Sequence, residues 1–202
     1  MSSASTIASD TPVLRVAQLV PRTEAEGPGR RFAVWVQGCP LRCPGCCNPE
    51  MFAMGRGTVM TAEALAARVL ATPGIEGLSV LGGEPFEQAG PVAELCERVR
   101  AGGLSTLVFS GYTLAELRAR GRPDVERLLA TLDLLVDGRY EQDLPEPRRR
   151  WIGSSNQVMH FLTPRYSPED PTFTAPNTAE VHLVEGRVVV NGWPALADRL
   201  RP

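Results

Sequence analysis

Residues 77–111 read GLSVLGGEPFEQAGPVAELCERVRAGGLSTLVFSG, a strand, a helix and a second strand in one continuous stretch. GLSVLGG (77–83) is a short apolar run closed by two glycines, PVAELCERVRA (91–101) carries apolar residues at helical spacing, and STLVFSG (105–111) is again apolar and ends at a glycine. The pattern continues on both sides. Downstream, TLAELRAR (113–120) and DVERLLAT (124–131) predict helices and LDLLVDG (132–138) a strand. Upstream, VLRVAQLV (13–20) and RFAVWVQG (31–38) predict strands, and TAEALAARVLAT (61–72) a helix with Thr61 as N-cap. Apolar strands separated by helices predict an α/β parallel sheet whose chemistry gathers at the carboxyl ends of its strands. Four such ends carry notable residues: the cysteine loop after residue 38, Gly82-Gly83-Glu84-Pro85, Ser110-Gly111-Tyr112 and Asp137-Gly138. Too few βα units are visible for a closed eight-unit barrel, so a curved sheet or open partial barrel is expected. Residues 141–176 are rich in Pro and Arg with one weak strand at QVMHFL, and AEVHLVEGRVVVNGWP (179–194) predicts a C-terminal β-hairpin turning at Glu185-Gly186.

The loop after residue 38 reads Cys39-Pro-Leu-Arg-Cys43-Pro-Gly-Cys46-Cys47. Three thiols within eight residues, on a chain that two prolines and a glycine make tight, suit an iron-sulfur cluster and leave one iron without a protein ligand. The competing reading is Zn²⁺ held by four cysteines, with Cys47 as the fourth. Closed zinc sites draw ligands from separated pairs, and adjacent Cys46 and Cys47 would share one ion only with strain.

The chain has 202 residues, enough for one domain, expected over 13–202 behind a flexible segment 1–12. A formal charge of −2 offers a polyanion no general attraction, which argues against nucleic acid as a partner. No Lys occurs, which excludes a Lys Schiff base and a Walker lysine. The start MSSASTIASDTP is not a signal peptide and no segment approaches a membrane span, so a soluble cytoplasmic protein without membrane contact is expected. Five cysteines, four of them between 39 and 47, indicate a metal or redox site rather than a disulfide framework.

The C-x3-C-x2-C spacing after an early strand, followed by Gly-Gly-Glu-Pro after the next, resembles the radical S-adenosylmethionine enzymes. GCPLRCPGCCNPE, LGGEPFEQ, FSGYTLAEL, LLVDGRY and GSSNQ extend the similarity to the activating enzymes of glycyl-radical enzymes, particularly of anaerobic ribonucleotide reductase. The resemblance implies a partial (βα)6-type barrel and reductive cleavage of S-adenosylmethionine to a 5′-deoxyadenosyl radical. It further implies a [4Fe-4S] cluster on Cys39, Cys43 and Cys46, whose fourth iron is chelated by S-adenosylmethionine. By the same resemblance Gly82 and Gly83 would approach the methionyl part, and Glu84 with nearby carbonyls would receive its ammonium group. Ser110, Gly111 and Tyr112 would lie near the ribose or carboxylate, Asp137 would end the next strand, and Ser154, Ser155 and Asn156 would line the adenosyl side or the substrate opening. On this reading a substitution at Gly83 or Glu84 leaves the iron ligands alone. The implied partner is a glycyl-radical enzyme, and the implied reductant a flavodoxin or ferredoxin. Many members carry an aromatic residue beside the third cysteine; this chain has Gly45 and Cys47 there.

The remaining candidates have ordinary readings. Cys47 is expected to be a spare neighbour of the third ligand, Cys96 a small buried hydrophobe, Trp35 a core residue, and Arg148-Arg149-Arg150 a solvated loop. Glu87 is expected to face solvent in a first helical turn, and His160 and His182, far apart in sequence, to serve in core or surface. Two other functions fit the same residues: direct radical modification of a metabolite or peptide, and a non-catalytic iron-sulfur or zinc protein.

Overall fold

The computed structural model describes residues 11–184, 187–194 and 196. Most of the expected flexible segment 1–12 and the hairpin turn at Glu185-Gly186 therefore lie outside the described residues. The elements run β1 (Val13–Thr23), β2 (Arg31–Val36), β3 (Thr58–Thr61), α1 (Ala62–Leu70), β4 (Gly77–Gly82), α2 (Ala89–Ala101) and β5 (Ser105–Phe109). They continue with α3 (Leu114–Ala119), α4 (Pro123–Leu129), β6 (Leu134–Asp137), β7 (Val158–Phe161), β8 (Ala179–Val184) and β9 (Arg187–Gly192). Seven strands form one sheet in the order β3-β1-β2-β4-β5-β6-β7, and β8-β9 form the expected hairpin.

The central run β2-β4-β5-β6 is parallel, whereas β1, β3 and β7 join antiparallel. The sheet is thus mixed: a partial α/β barrel whose parallel core is flanked by antiparallel edges. Sequence shows why. Every residue of β2 is buried, as a strand covered on both faces requires, while β1 alternates exposed and buried positions along its first half, as a strand with one face open to solvent does. The expected N-cap is present, with the Thr61 Oγ1 accepting from the Ala64 N–H at 3.1 Å. β3 was too short to read from sequence.

Alternation sorts the parallel strands into two faces. Phe32, Val34, Val36, Leu78, Val80, Val108 and Leu135 pack with the helices in the main core. Ala33, Trp35, Leu81, Leu107, Leu134 and Val136 point the other way and are covered by Trp151, Ile152, Phe173 and Val189, all from the C-terminal third. The barrel's open side is therefore partly closed by the chain itself. Cys96 is fully buried in the helix-side core, as expected. Among the described residues no helix is long and apolar enough to cross a membrane.

Candidate functional site

The cysteine loop leaves β2 through Gly38, whose φ of +101° only glycine takes without strain, and is tied back by Gly38 N–H to Met51 O (2.8 Å) and Cys39 N–H to Phe52 O (3.3 Å). A turn from Cys43 O to Cys46 N–H (3.2 Å) folds its tip. The loop is held against the next two strand ends by absent side chains. A Cβ on Gly83 would stand 2.4 Å from Gly38 O, and one on Gly111 would stand 2.4 Å from the Leu41 Cδ1. Gly83 is therefore the seat of the residue that precedes Cys39. This corrects the expectation that a change at Gly83 leaves the cysteine loop alone.

Glu84 is 1% exposed, and its carboxylate accepts hydrogen bonds from the Phe86 N–H (3.0 Å), the Ser110 Oγ (2.9 Å) and the Gly111 N–H (2.8 Å). It joins the end of β4 to the end of β5. Burial raises its pKa to about 7 against the pull of these three bonds. A carboxyl whose folded pKa lies above its unfolded one stabilises the fold most below the unfolded value, and that contribution is lost as pH rises through about 7. The cofactor-free protein is accordingly expected to melt at lower temperature at pH 8 than at pH 5. Glu84→Gln should flatten the dependence by roughly 3 kcal/mol between those limits, read by urea unfolding across pH; an unchanged slope would remove Glu84 as its source.

Cys39, Cys43, Cys46, Cys47, Gly82, Gly83, Glu84 and Ser110 line one cavity of about 350 Å³, which Glu26, Trp35, Gln157, Asn191 and Trp193 also line. Its wall carries Glu26, Glu50 and Glu84 and, among the described residues, no Arg or His. The three motif thiols are half-buried and Cys47 is exposed. The Cys46 thiol is pulled down to about 6, chiefly by a hydrogen bond from Cys47 and less by the Asn48 N–H (3.5 Å), with burial opposing. Thiolate character at that position suits a soft metal ligand. Among the described residues no three His, Cys, Asp or Glu side chains converge on a single metal ion. The thiols line the shared cavity of about 350 Å³.

Four expected site residues stand elsewhere. Asp137 lies two positions from Leu135 on the helix-side face, so its carboxylate takes the Leu114 N–H (2.5 Å) and meets the His160 Nε2 (2.8 Å). The Tyr112 hydroxyl donates to Glu87 (2.9 Å), and the Arg120 guanidinium stacks on the ring at 3.7 Å. Glu87, expected to face solvent, is half-buried and paired with Arg120 at 3.3 Å. Ser155 and Asn156 bond Leu144 O and Arg139 O through backbone and side chain respectively, outside the cavity wall. Gln157, next in the same GSSNQ stretch, lines the wall instead and pins Gly138 O (2.8 Å) and the Gly153 N–H (2.8 Å). Its place one residue past Asn156 was the available signal. Glu26, buried with its pKa raised to about 7 by that burial, and Asn191 had none, because loop and hairpin meet 165 residues apart.

Residues 25–160 match the family model described as a 4Fe-4S single cluster domain. With the partial barrel and its cysteine-lined cavity, this defines a radical S-adenosylmethionine enzyme of the activase type, using an iron-sulfur cluster and S-adenosylmethionine. An anaerobic ribonucleoside-triphosphate reductase-activating protein of Salmonella typhimurium is 34% identical over 158 residues, covering 74% of this chain and 99% of that protein. The Escherichia coli K12 protein of the same description is 34% identical over 154 residues (72% and 97%), and that of phage T4 29% over 147 (69% and 89%). The chain belongs to this family of activating proteins.

Proposed function

We propose that this protein places a radical on a glycine of a partner glycyl-radical enzyme, of the anaerobic ribonucleotide reductase class named by its relatives. The observation that supports this most is the make-up of the cavity wall: three carboxyl groups and no described cation. With the pKa values of Glu26 and Glu84 raised to about 7 by burial, the wall carries little fixed charge and offers no cation to a phosphorylated metabolite, which leaves a neutral peptide segment as the natural hydrogen donor. Cys39, Cys43 and Cys46 are the proposed cluster ligands, with Gly82, Gly83 and Ser110 beside the methionyl group of S-adenosylmethionine and Glu84 fixing the two strand ends that carry them. Held by Cys39, Cys43 and Cys46, a reduced cluster would supply the one-electron reduction that cleaves S-adenosylmethionine to methionine and a 5′-deoxyadenosyl radical. The chain's own part is to hold the donor glycine nearby and exclude water, with Trp35, Phe109 and Trp193 as apolar wall. A small flavodoxin or ferredoxin is the reductant this reading requires.

The test is anaerobic incubation of reduced protein, S-adenosylmethionine and the glycyl-radical enzyme encoded in the same genome. A protein-centred doublet in electron paramagnetic resonance is expected, with deuterium passing from the labelled glycine into 5′-deoxyadenosine. Label passing instead from a metabolite, with no doublet, would overturn the activase reading.

A further inference from the structure

The family match ends at residue 160, yet the cavity does not: Asn177 and Val190–Pro194 form part of its wall. The hairpin that carries them is docked on the first strand by paired polar groups. Asn191 Nδ2 donates to the Thr23 Oγ1 (2.9 Å) and to the Glu26 Oε1 (3.2 Å), and the Gly192 N–H donates to the same Glu26 oxygen (2.7 Å). The carboxylate fixes which end of the amide is nitrogen, so the other end is the oxygen. That oxygen, Asn191 Oδ1, is buried with no partner among the described residues, on a side chain only 4% exposed. Among the described residues every hydrogen bond to the Glu26 carboxylate falls on Oε1, leaving Oε2 for a ligand. Native interiors rarely leave such an acceptor unpaired unless a bound group supplies the donor.

The surroundings define that group. Ala25, Val190 and Gly192 make the adjoining wall small and apolar, and the cavity has no described cation to hold an anion. Two acceptors in such a setting suit neutral N–H donors on a narrow chain. We infer that the C-terminal hairpin builds a second subsite of the cavity, in which Asn191 Oδ1 and Glu26 accept hydrogen bonds from main-chain N–H groups of the peptide segment that carries the target glycine. This rests on the activase reading and adds to it: the partner's glycine enters as an extended segment between the cofactor side and the hairpin, and this chain's own C-terminal third, rather than the partner alone, covers the barrel's open side.

The experiment uses the full-length, cluster-loaded protein and the genome's own glycyl-radical enzyme. Asn191→Leu removes the acceptor; Asn191→Ala removes it without adding volume and serves if Asn191→Leu does not fold. Both are expected to raise the KM for the partner about 10-fold, the effect of one lost hydrogen bond, with S-adenosylmethionine affinity and partner-free cleavage within about twofold of wild type. A weakened S-adenosylmethionine affinity with unchanged partner KM would overturn the inference and assign the subsite to the nucleoside; no change in either would overturn it outright. If the wild-type protein cleaves S-adenosylmethionine but puts no radical on the partner, the activase reading itself has failed, and that is seen before any variant is made.

Discussion

Anaerobic reconstitution of Cys39→Ala, Cys43→Ala or Cys46→Ala is expected to give no stable cluster and S-adenosylmethionine cleavage at background, against about four irons and four sulfides per wild-type chain. A cubane held by three thiolates would keep only two when one is lost. Cys47 is a neighbour on an exposed rim and Cys96 is sealed in the helix-side core, so alanine at either should leave iron content nearly unchanged. The geometry adds a fourth variant to the first group. Valine at Gly83 would drive carbon into Gly38 O, already 2.4 Å from the position of a first Cβ, and displace the residue that leads into Cys39. Gly83→Val should therefore lose iron as well as S-adenosylmethionine affinity. Iron and sulfide analysis with isothermal titration separates the outcomes: full iron content in Gly83→Val would show that the two glycines do not lock the loop, and stoichiometric zinc in freshly purified wild-type protein would overturn the ligand assignment altogether.

What sequence made legible is what lies at strand ends. The apolar runs of β2, β4, β5 and β6 announce themselves, and the polar or glycine residues that follow them, Cys39, Gly82, Glu84 and Ser110, share one cavity because the sheet is parallel there. Position along a strand does not say which face a side chain takes. Asp137 ends a strand as truly as Ser110 does, but its parity with Leu135 turns it to the helices, where it holds the start of α3 and meets His160 diagonally across β6-β7. Tyr112 is likewise drawn to the helix side by Glu87 and Arg120. The hairpin was visible as alternating valines, but not its docking on Thr23 and Glu26, since nothing local encodes a contact between a loop and a strand so far apart in the chain.

The least legible residue is also the most consequential for the fold. Arg31 opens β2 and reads as an ordinary polar strand start, yet it is 0% exposed. It shares the face of Ala33 and Trp35, below the cavity, and its guanidinium donates to the Ser79 Oγ (2.6 Å), Leu78 O (2.6 Å), the Ser105 Oγ (2.9 Å) and Pro28 O (3.0 Å). Gly77 makes the room: a Cβ there would fall 2.4 Å from the Arg31 Nη1. Among the described residues no carboxylate bonds the guanidinium, and burial pulls its pKa below the ordinary arginine value. Arg31→Ala removes a long aliphatic stem and strips the carbonyls of Leu78 and Pro28 of their donors, a combined cost of about 3–5 kcal/mol. For a domain of this size that corresponds to a fall in Tm of roughly 10–15 °C. Arg31→Met should cost markedly less. It refills the volume and ends the desolvation of a charge, while Ser105 and Tyr166 already bond each other at 2.7 Å and Ser79 already donates to Glu26 O at 2.6 Å. Guanidinium unfolding of the three proteins reads the order directly: wild type above Met above Ala is expected, and Ala equal to wild type would show that the buried cation is not what closes the bottom of this barrel.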